Sequence, residues 1–260
     1  MAIFKSGTSA FFKSGNPTLS EKTFDTAAQT YNDGEVMTQN GTLNKFGMMM
    51  LLILGSASLT WKAAAEGTNV MPWVIGTAIA GFIIAITLSF RPQWAAFLAP
   101  VYALVEGVFV GGISAYYNDA FAKIAPNIIM QAVGLTFGVV IAMFGLYRFG
   151  VIRATQRFKS VLFTATAGIA VFYLLSFVLR FFGIQMPFIH DSTGWGIVFS
   201  LVVVAIAALN LIMDFDFIEQ GSAQGAPKYM EWYGAFALMV TIVWLYIEIL
   251  RLLSKLARRD

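Results

Sequence analysis

Seven runs of apolar residues, at about 46–61, 73–90, 95–116, 128–147, 160–182, 194–213 and 232–253, fill nearly all of the chain beyond Lys45. Each is close to the roughly 20 residues that a helix needs to cross the hydrocarbon of a bilayer. Within lipid every backbone N–H and C=O must find its partner inside the protein, so only helices and closed barrels can span. Strands of a barrel would alternate apolar and polar side chains over about ten positions, and a run such as Gly196 to Leu209 does not alternate. The spacing therefore predicts an all-α membrane protein of seven transmembrane helices. Trp61, Trp73, Trp94, Tyr116, Tyr117, Tyr147, Trp195, Trp232 and Tyr233 stand at the edges of the runs, where amphipathic rings settle at headgroup level.

The composition agrees. Of the 260 residues 58% are hydrophobic and 12% charged, against about 25% charged in ordinary soluble domains. The expected organisation is a polar tail, residues 1–44, followed by one membrane domain, residues 45–260. The tail has no apolar h-region or cleavage pattern, so the first span is expected to serve as the targeting signal. With no cysteine, sulfur redox chemistry, disulfides and thiolate metal sites are excluded. The single histidine, His190, lies in a polar connector and reads as a surface-loop residue. A net charge of +3 gives no reason to expect nucleic-acid binding, since basic residues in a membrane protein first have a topological role. No phosphate-cradling P-loop appears, which argues against ATP-driven pumping, and no cofactor is expected.

Orientation follows from the same basic residues. With the N-terminus inside, Lys5, Lys13, Lys22, Lys45, Arg91, Arg148, Arg153, Arg157, Lys159 and Lys228 fall on the cytoplasmic side, and Lys62, Lys123 and Arg180 on the other. Arg251, Lys255, Arg258 and Arg259 oppose this bias if all seven segments cross. Either the earlier charges prevail, or the last segment is a central helix shielded by the other six, where polar residues cost less. Gly107 and Gly111, and Gly134 and Gly138, have the four-residue spacing of close helix packing; a dimer interface is the alternative. No inverted repeat is evident.

Carboxylates in and beside these runs are the candidate functional groups, because an ionisable side chain near hydrocarbon is costly and usually faces a partner, a cavity or an ion path. Asp214, Asp216 and Glu219 follow the sixth run, Glu248 lies inside the seventh and Glu106 inside the third. Asp214 and Asp216 are about 200° apart on a helix, so at most one can serve a given pocket. Glu248 admits two readings: a structural i,i+3 ion pair with Arg251, or an approach to Asp214 from the neighbouring helix to share a proton or cation. Two such carboxyls in a low-dielectric site cannot both ionise cheaply, which would make the pair sensitive to pH. Oxygen-rich acidic sites also suit hard cations such as calcium, so Asp214 and Glu248 are candidate calcium contacts, without a certain metal site. Arg91 ends the second run as an interface anchor or a cap for an acid when a pore is closed, and Arg251 is the other candidate latch. An intramembrane hydrolase built on paired aspartates is the weaker expectation, since Asp214 and Asp216 face apart.

Asp214 after Asn210-Leu211-Ile212-Met213, the stretch Leu245-Tyr246-Ile247-Glu248-Ile249-Leu250-Arg251-Leu252-Leu253, and Tyr102-Ala103-Leu104-Val105-Glu106-Gly107 together resemble the signatures of the Bax inhibitor/YccA-like transmembrane family. The Asn16-Pro17…Leu19-Ser20-Glu21-Lys22 tail and the Ala226-Pro227-Lys228-Tyr229 connector are similar to a bacterial branch with a longer N-terminus. The resemblance implies a seven-helix bundle with the last helix at its centre, and a pH-sensitive calcium leak, not an enzyme, gated by acids on the last two helices. Carried over, those acids are Asp214 and Glu248, with Arg91 as closed-state latch. The final-helix acid is usually Asp, and Glu248 is one methylene longer. Asp216 stands where the pattern often has a neutral polar residue, leaving open which of Asp214 and Asp216 is primary. The implied setting is a bacterial inner membrane with the N-terminus cytoplasmic and lipid, calcium or protons as partners. A different class of function, a non-conducting membrane factor that regulates another protein, stands beside the leak; protein partners are not specified by the sequence.

Overall fold

The computed structural model describes residues 36–183 and 193–259. His190 and most of the polar tail, including the Asn16 to Lys22 motif, lie outside the described residues. Among the described residues seven helices follow in order: α1 (Gln39–Ala65), α2 (Met71–Phe90), a 3-10 turn (Pro92–Trp94), α3 (Ala95–Phe121), α4 (Ile128–Arg148), α5 (Gln156–Phe181), α6 (Gly194–Ala223) and α7 (Met230–Ala257). All seven are long and apolar enough to cross a membrane. The only β pairing among the described residues is an isolated antiparallel bridge between Val36 and Pro227.

Local chemistry sets the helix starts. Thr38, Thr155 and Thr193 adopt extended backbone, and each accepts a hydrogen bond from the N–H three residues on, at 3.0, 3.3 and 3.3 Å, satisfying a donor the helix leaves open. Inside the spans, serine and threonine hydroxyls donate to carbonyls one turn back, as Ser56 does to Leu52 at 2.9 Å and Thr136 to Ala132 at 2.7 Å, so they are not orphaned in hydrocarbon.

Several helices run past the apolar segments, and two of these extensions matter for the site. The first helix begins at Gln39, inside the expected tail, because Thr38 caps it. The sixth continues to Ala223 rather than ending near 213, so Asp214, Asp216 and Glu219 are all helical residues. A tight link then follows. Gly225 takes a left-handed φ of 67°, open to glycine at little cost, and turns α6 into the connector whose Ala226 carbonyl accepts from Met37 N–H at 2.6 Å. Glu231, fully buried, receives the backbone N–H and hydroxyl of Thr38, at 2.9 and 2.8 Å, and pairs with Lys45 and Lys228. The first and last helices are thus joined at the end where α1 starts, here termed the N-terminal face.

The seventh helix is the core of the bundle. It packs on α1, α3, α4 and α6, and 67% of its most apolar window is buried, against 11% in α5. A shielded last helix is the arrangement in which its charges are tolerable. Gly107 and Gly111 bring α3 onto α1: a Cβ at either would fall 2.5 Å from the Ile53 carbonyl or 2.4 Å from that of Ala57. Gly134 and Gly138 do not act this way, since nothing lies within 4 Å of where their Cβ would be.

Candidate functional site

The register of α6 against α7 decides which acids meet. The two helices run antiparallel. A Cβ on Gly234 would touch Ile218 at 3.2 Å near the N-terminal face, and Lys255 donates to the Gly196 carbonyl at 2.9 Å near the opposite, C-terminal face. Between these marks Asp214 falls beside the Thr241 hydroxyl. Glu248 lies seven residues beyond Thr241, about 10 Å further along α7 at 1.5 Å per residue. The expected meeting of Asp214 with Glu248 does not occur in this arrangement.

Asp214 is 1% exposed, and neither carboxylate oxygen has a hydrogen-bond partner among the described residues. Thr241, which faces it, donates instead to the Ala237 carbonyl at 3.3 Å. One turn before Asp214, Asn210 donates to Thr166 of α5 at 3.0 Å and to the Ile206 carbonyl at 2.8 Å.

Glu248, equally buried, is fully engaged. Arg251 Nη1 donates to both of its oxygens at 2.8 and 2.9 Å, the Tyr173 hydroxyl lies at 3.1 and 3.2 Å, and Trp244 Nε1 donates at 3.3 Å. The same guanidinium donates to the Tyr173 hydroxyl at 2.7 Å and sits 5.1 Å from that ring's centroid. The i,i+3 ion-pair reading of Glu248 is the arrangement found. Arg251 neutralises this acid directly.

Asp216 points elsewhere than Asp214, as their angular separation requires. It pairs with Lys159 of α5 at 2.6 Å and accepts from Gln220 at 2.6 Å. Glu219 accepts from the Tyr147 hydroxyl. Asp216, Glu219 and Tyr147, together with Arg148, Arg153 and Thr155, line a polar cleft of about 360 Å³ at the N-terminal face. Glu106 lies apart, in α3 at its contact with α2: Tyr102 is its hydrogen-bond partner, and a Cβ on Gly81 would stand 3.1 Å from its Oε2. Arg91 is exposed at the end of α2 and makes no ion pair among the described residues. It does not latch the acids in this conformation.

A polar seam therefore runs through the α5–α6–α7 region. From the N-terminal face it comprises Glu219, Asp216 with Lys159, Asp214 with Thr241, Asn210 with Thr166, and Glu248 with Arg251 and Tyr173. Ser200, buried with a hydroxyl that has no partner among the described residues, and Lys255 on the Gly196 carbonyl continue it toward the C-terminal face. Sequence reasoning missed the α5 contribution. The signal was present: Lys159, Thr166 and Tyr173 recur every seven residues, which keeps them on one side of a helix, and Thr241, Glu248 and Lys255 repeat that spacing on α7.

Among the described residues no three His, Asp or Glu side chains converge as a metal-binding group. In the comparisons with known proteins, the family model described as Bax inhibitor 1 like matches residues 16–258. The chain belongs to the Bax inhibitor 1 like family. No curated protein matched. For this Bax inhibitor 1 like chain the match covers all seven helices and the whole seam.

Proposed function

We propose that the protein is a membrane cation leak whose path follows the polar seam, with Asp214 as the group an ion meets near mid-depth. The observation that carries this reading is the Asp214 carboxyl: buried, in an apolar span, with neither oxygen at ordinary hydrogen-bond geometry to any of the described residues. An ionisable side chain in that setting is costly, and among the described residues no ion pair neutralises it, the Thr241 hydroxyl being the polar group that faces it. A passing hydrated cation supplies the missing contacts, while protonation removes the charge that attracts it, so the leak opens on deprotonation. Calcium is the ion implied by the resemblance; carboxylate, backbone carbonyl and water oxygens are its usual ligands. Toward the C-terminal face, Arg251 holds Glu248 and the Tyr173 hydroxyl together, and release of this clasp completes the path.

Arg91, Arg148, Arg153, Arg157, Lys159 and Lys228 at or near the N-terminal face support a cytoplasmic N-terminus, and a bacterial inner membrane is the setting the resemblance implies. The test is calcium flux into proteoliposomes between about pH 5 and 8, comparing wild type with folded Asp214→Asn protein. The expected outcome is a pH-dependent flux that loses its pH dependence in the variant. Flux no greater than that of empty liposomes at every pH would sink the leak and favour the non-conducting regulatory role.

A further inference from the structure

A second feature of the bundle lies on the other side of α7. Ile242, Val243 and Tyr246 cluster on a face roughly opposite that of Thr241, Trp244 and Glu248, at about 100° per residue. They form the floor of a groove of about 280 Å³ whose walls are α1, α3 and α4. The groove occupies the half of the bundle nearer the C-terminal face. Along α1 it extends from Met50 to Trp61, and on α4 it takes in the first turns, Ile129 to Phe137. α1 and α4 share no packed interface there, so the space between them opens sideways.

The lining chemistry selects the occupant. Each hydroxyl in the wall is already bonded within the protein: Ser58 to the Gly55 carbonyl at 2.8 Å, Thr136 to Ala132 at 2.7 Å, and Ser114 to Val110 at 2.6 Å and to the Tyr246 hydroxyl at 2.7 Å. Apart from the Trp61 indole at one end, a polar ligand would find little to bind, and water is poorly held where polar partners are lacking. A helix, about 10 Å across with its side chains, does not fit a space of this volume. Its outer wall is apolar and exposed, with Leu54 of α1 at 55% and Phe137 of α4 at 43%, so the opening faces hydrocarbon.

We propose that the groove is a lipid site, holding one acyl chain of a phospholipid from the leaflet at the C-terminal face. The chain enters between α1 and α4 and lies on the back of the central helix, with Trp61 at the headgroup end, where indoles settle. This site is independent of the leak.

The test uses the full-length protein in proteoliposomes that contain a phospholipid with a photoreactive group near the middle of its acyl chain, followed by mapping of the adducts. Any lipid-facing residue, such as Leu174 of α5, will be labelled. Ile242, Val243 and Tyr246 are buried, so only an inserted chain reaches them. Adducts on these α7 residues are expected in wild type and are expected to be lost in Val133→Trp, which fills the groove, while α5 labelling is unchanged. Ser58→Phe fills it from the opposite wall and replaces Val133→Trp if that variant does not fold. Labelling of α5 without labelling of α7 in wild type would overturn the proposal. So would α7 adducts that persist undiminished in a folded groove-filled variant.

Discussion

Asp214 and Glu248 are buried to the same degree between the last helices, yet their surroundings are opposite. Glu248 has a guanidinium, a phenol and an indole around it; Asp214 has one facing hydroxyl that bonds elsewhere. Removing water from a carboxylate costs several kcal/mol, and a close, well-bonded counter-charge recovers much of that. Glu248 meets that condition within its own helix, because Arg251 follows one turn later. Asp214 does not meet it, although Lys159 is near enough to bind its neighbour Asp216. An acid with its partners supplied is adequately explained by structure, whereas one without them calls for a function.

Substitutions can break this contrast, ordered here by expected cost to stability. Arg251→Met leaves Glu248 buried without its charge partner and should cost about 3–5 kcal/mol in unfolding measured in detergent; adding Glu248→Gln should restore much of it. If Arg251→Met unfolds like wild type, the clasp is not stabilising. Tyr173→Phe removes one hydroxyl from the same network and should cost about 1–2 kcal/mol, as for a hydrogen bond to a charged group. Asp214→Asn should change stability by less than about 1 kcal/mol, since no bonds are lost, while removing the pH dependence of calcium flux. A large loss of stability with unchanged flux would reverse the roles assigned to the two acids. Thr241→Val, at a hydroxyl that gives Asp214 no ordinary hydrogen bond, should stay within about 0.5 kcal/mol of wild type, and a greater loss would reveal a contact that Asp214 does make.

Much of this was legible beforehand, for identifiable reasons. The seven spans follow from run length, because hydrocarbon thickness fixes how many residues a crossing helix needs. Glu248 with Arg251 is a local pair, visible as i,i+3 spacing on one helix, and the opposed directions of Asp214 and Asp216 follow from helical angle alone. The register of α6 on α7 was not legible. It depends on the Gly225 turn and on packing such as Ile218 against Gly234, and it sets Asp214 opposite Thr241 rather than Glu248. The two glycine pairs carry the same lesson: Gly107 and Gly111 meet α1, while Gly134 and Gly138, with identical spacing, have none of the described residues within 4 Å of an added Cβ.

By itself the sequence determined the solvent, the number of crossings and two of the buried acids, Asp214 and Glu248, all of which depend on composition and on separations along one helix. It did not foresee that Glu231 is buried or that Tyr233, expected at headgroup level, is a core residue. Only the tertiary structure decided which acid is neutralised, that α5 joins the seam through Lys159, Thr166 and Tyr173, and that the central helix has an oily groove behind it. Those outcomes depend on the rotation and axial offset of one helix against another. Side chains distant in the chain set both, and a shift of one turn, about 5.4 Å, would pair different residues.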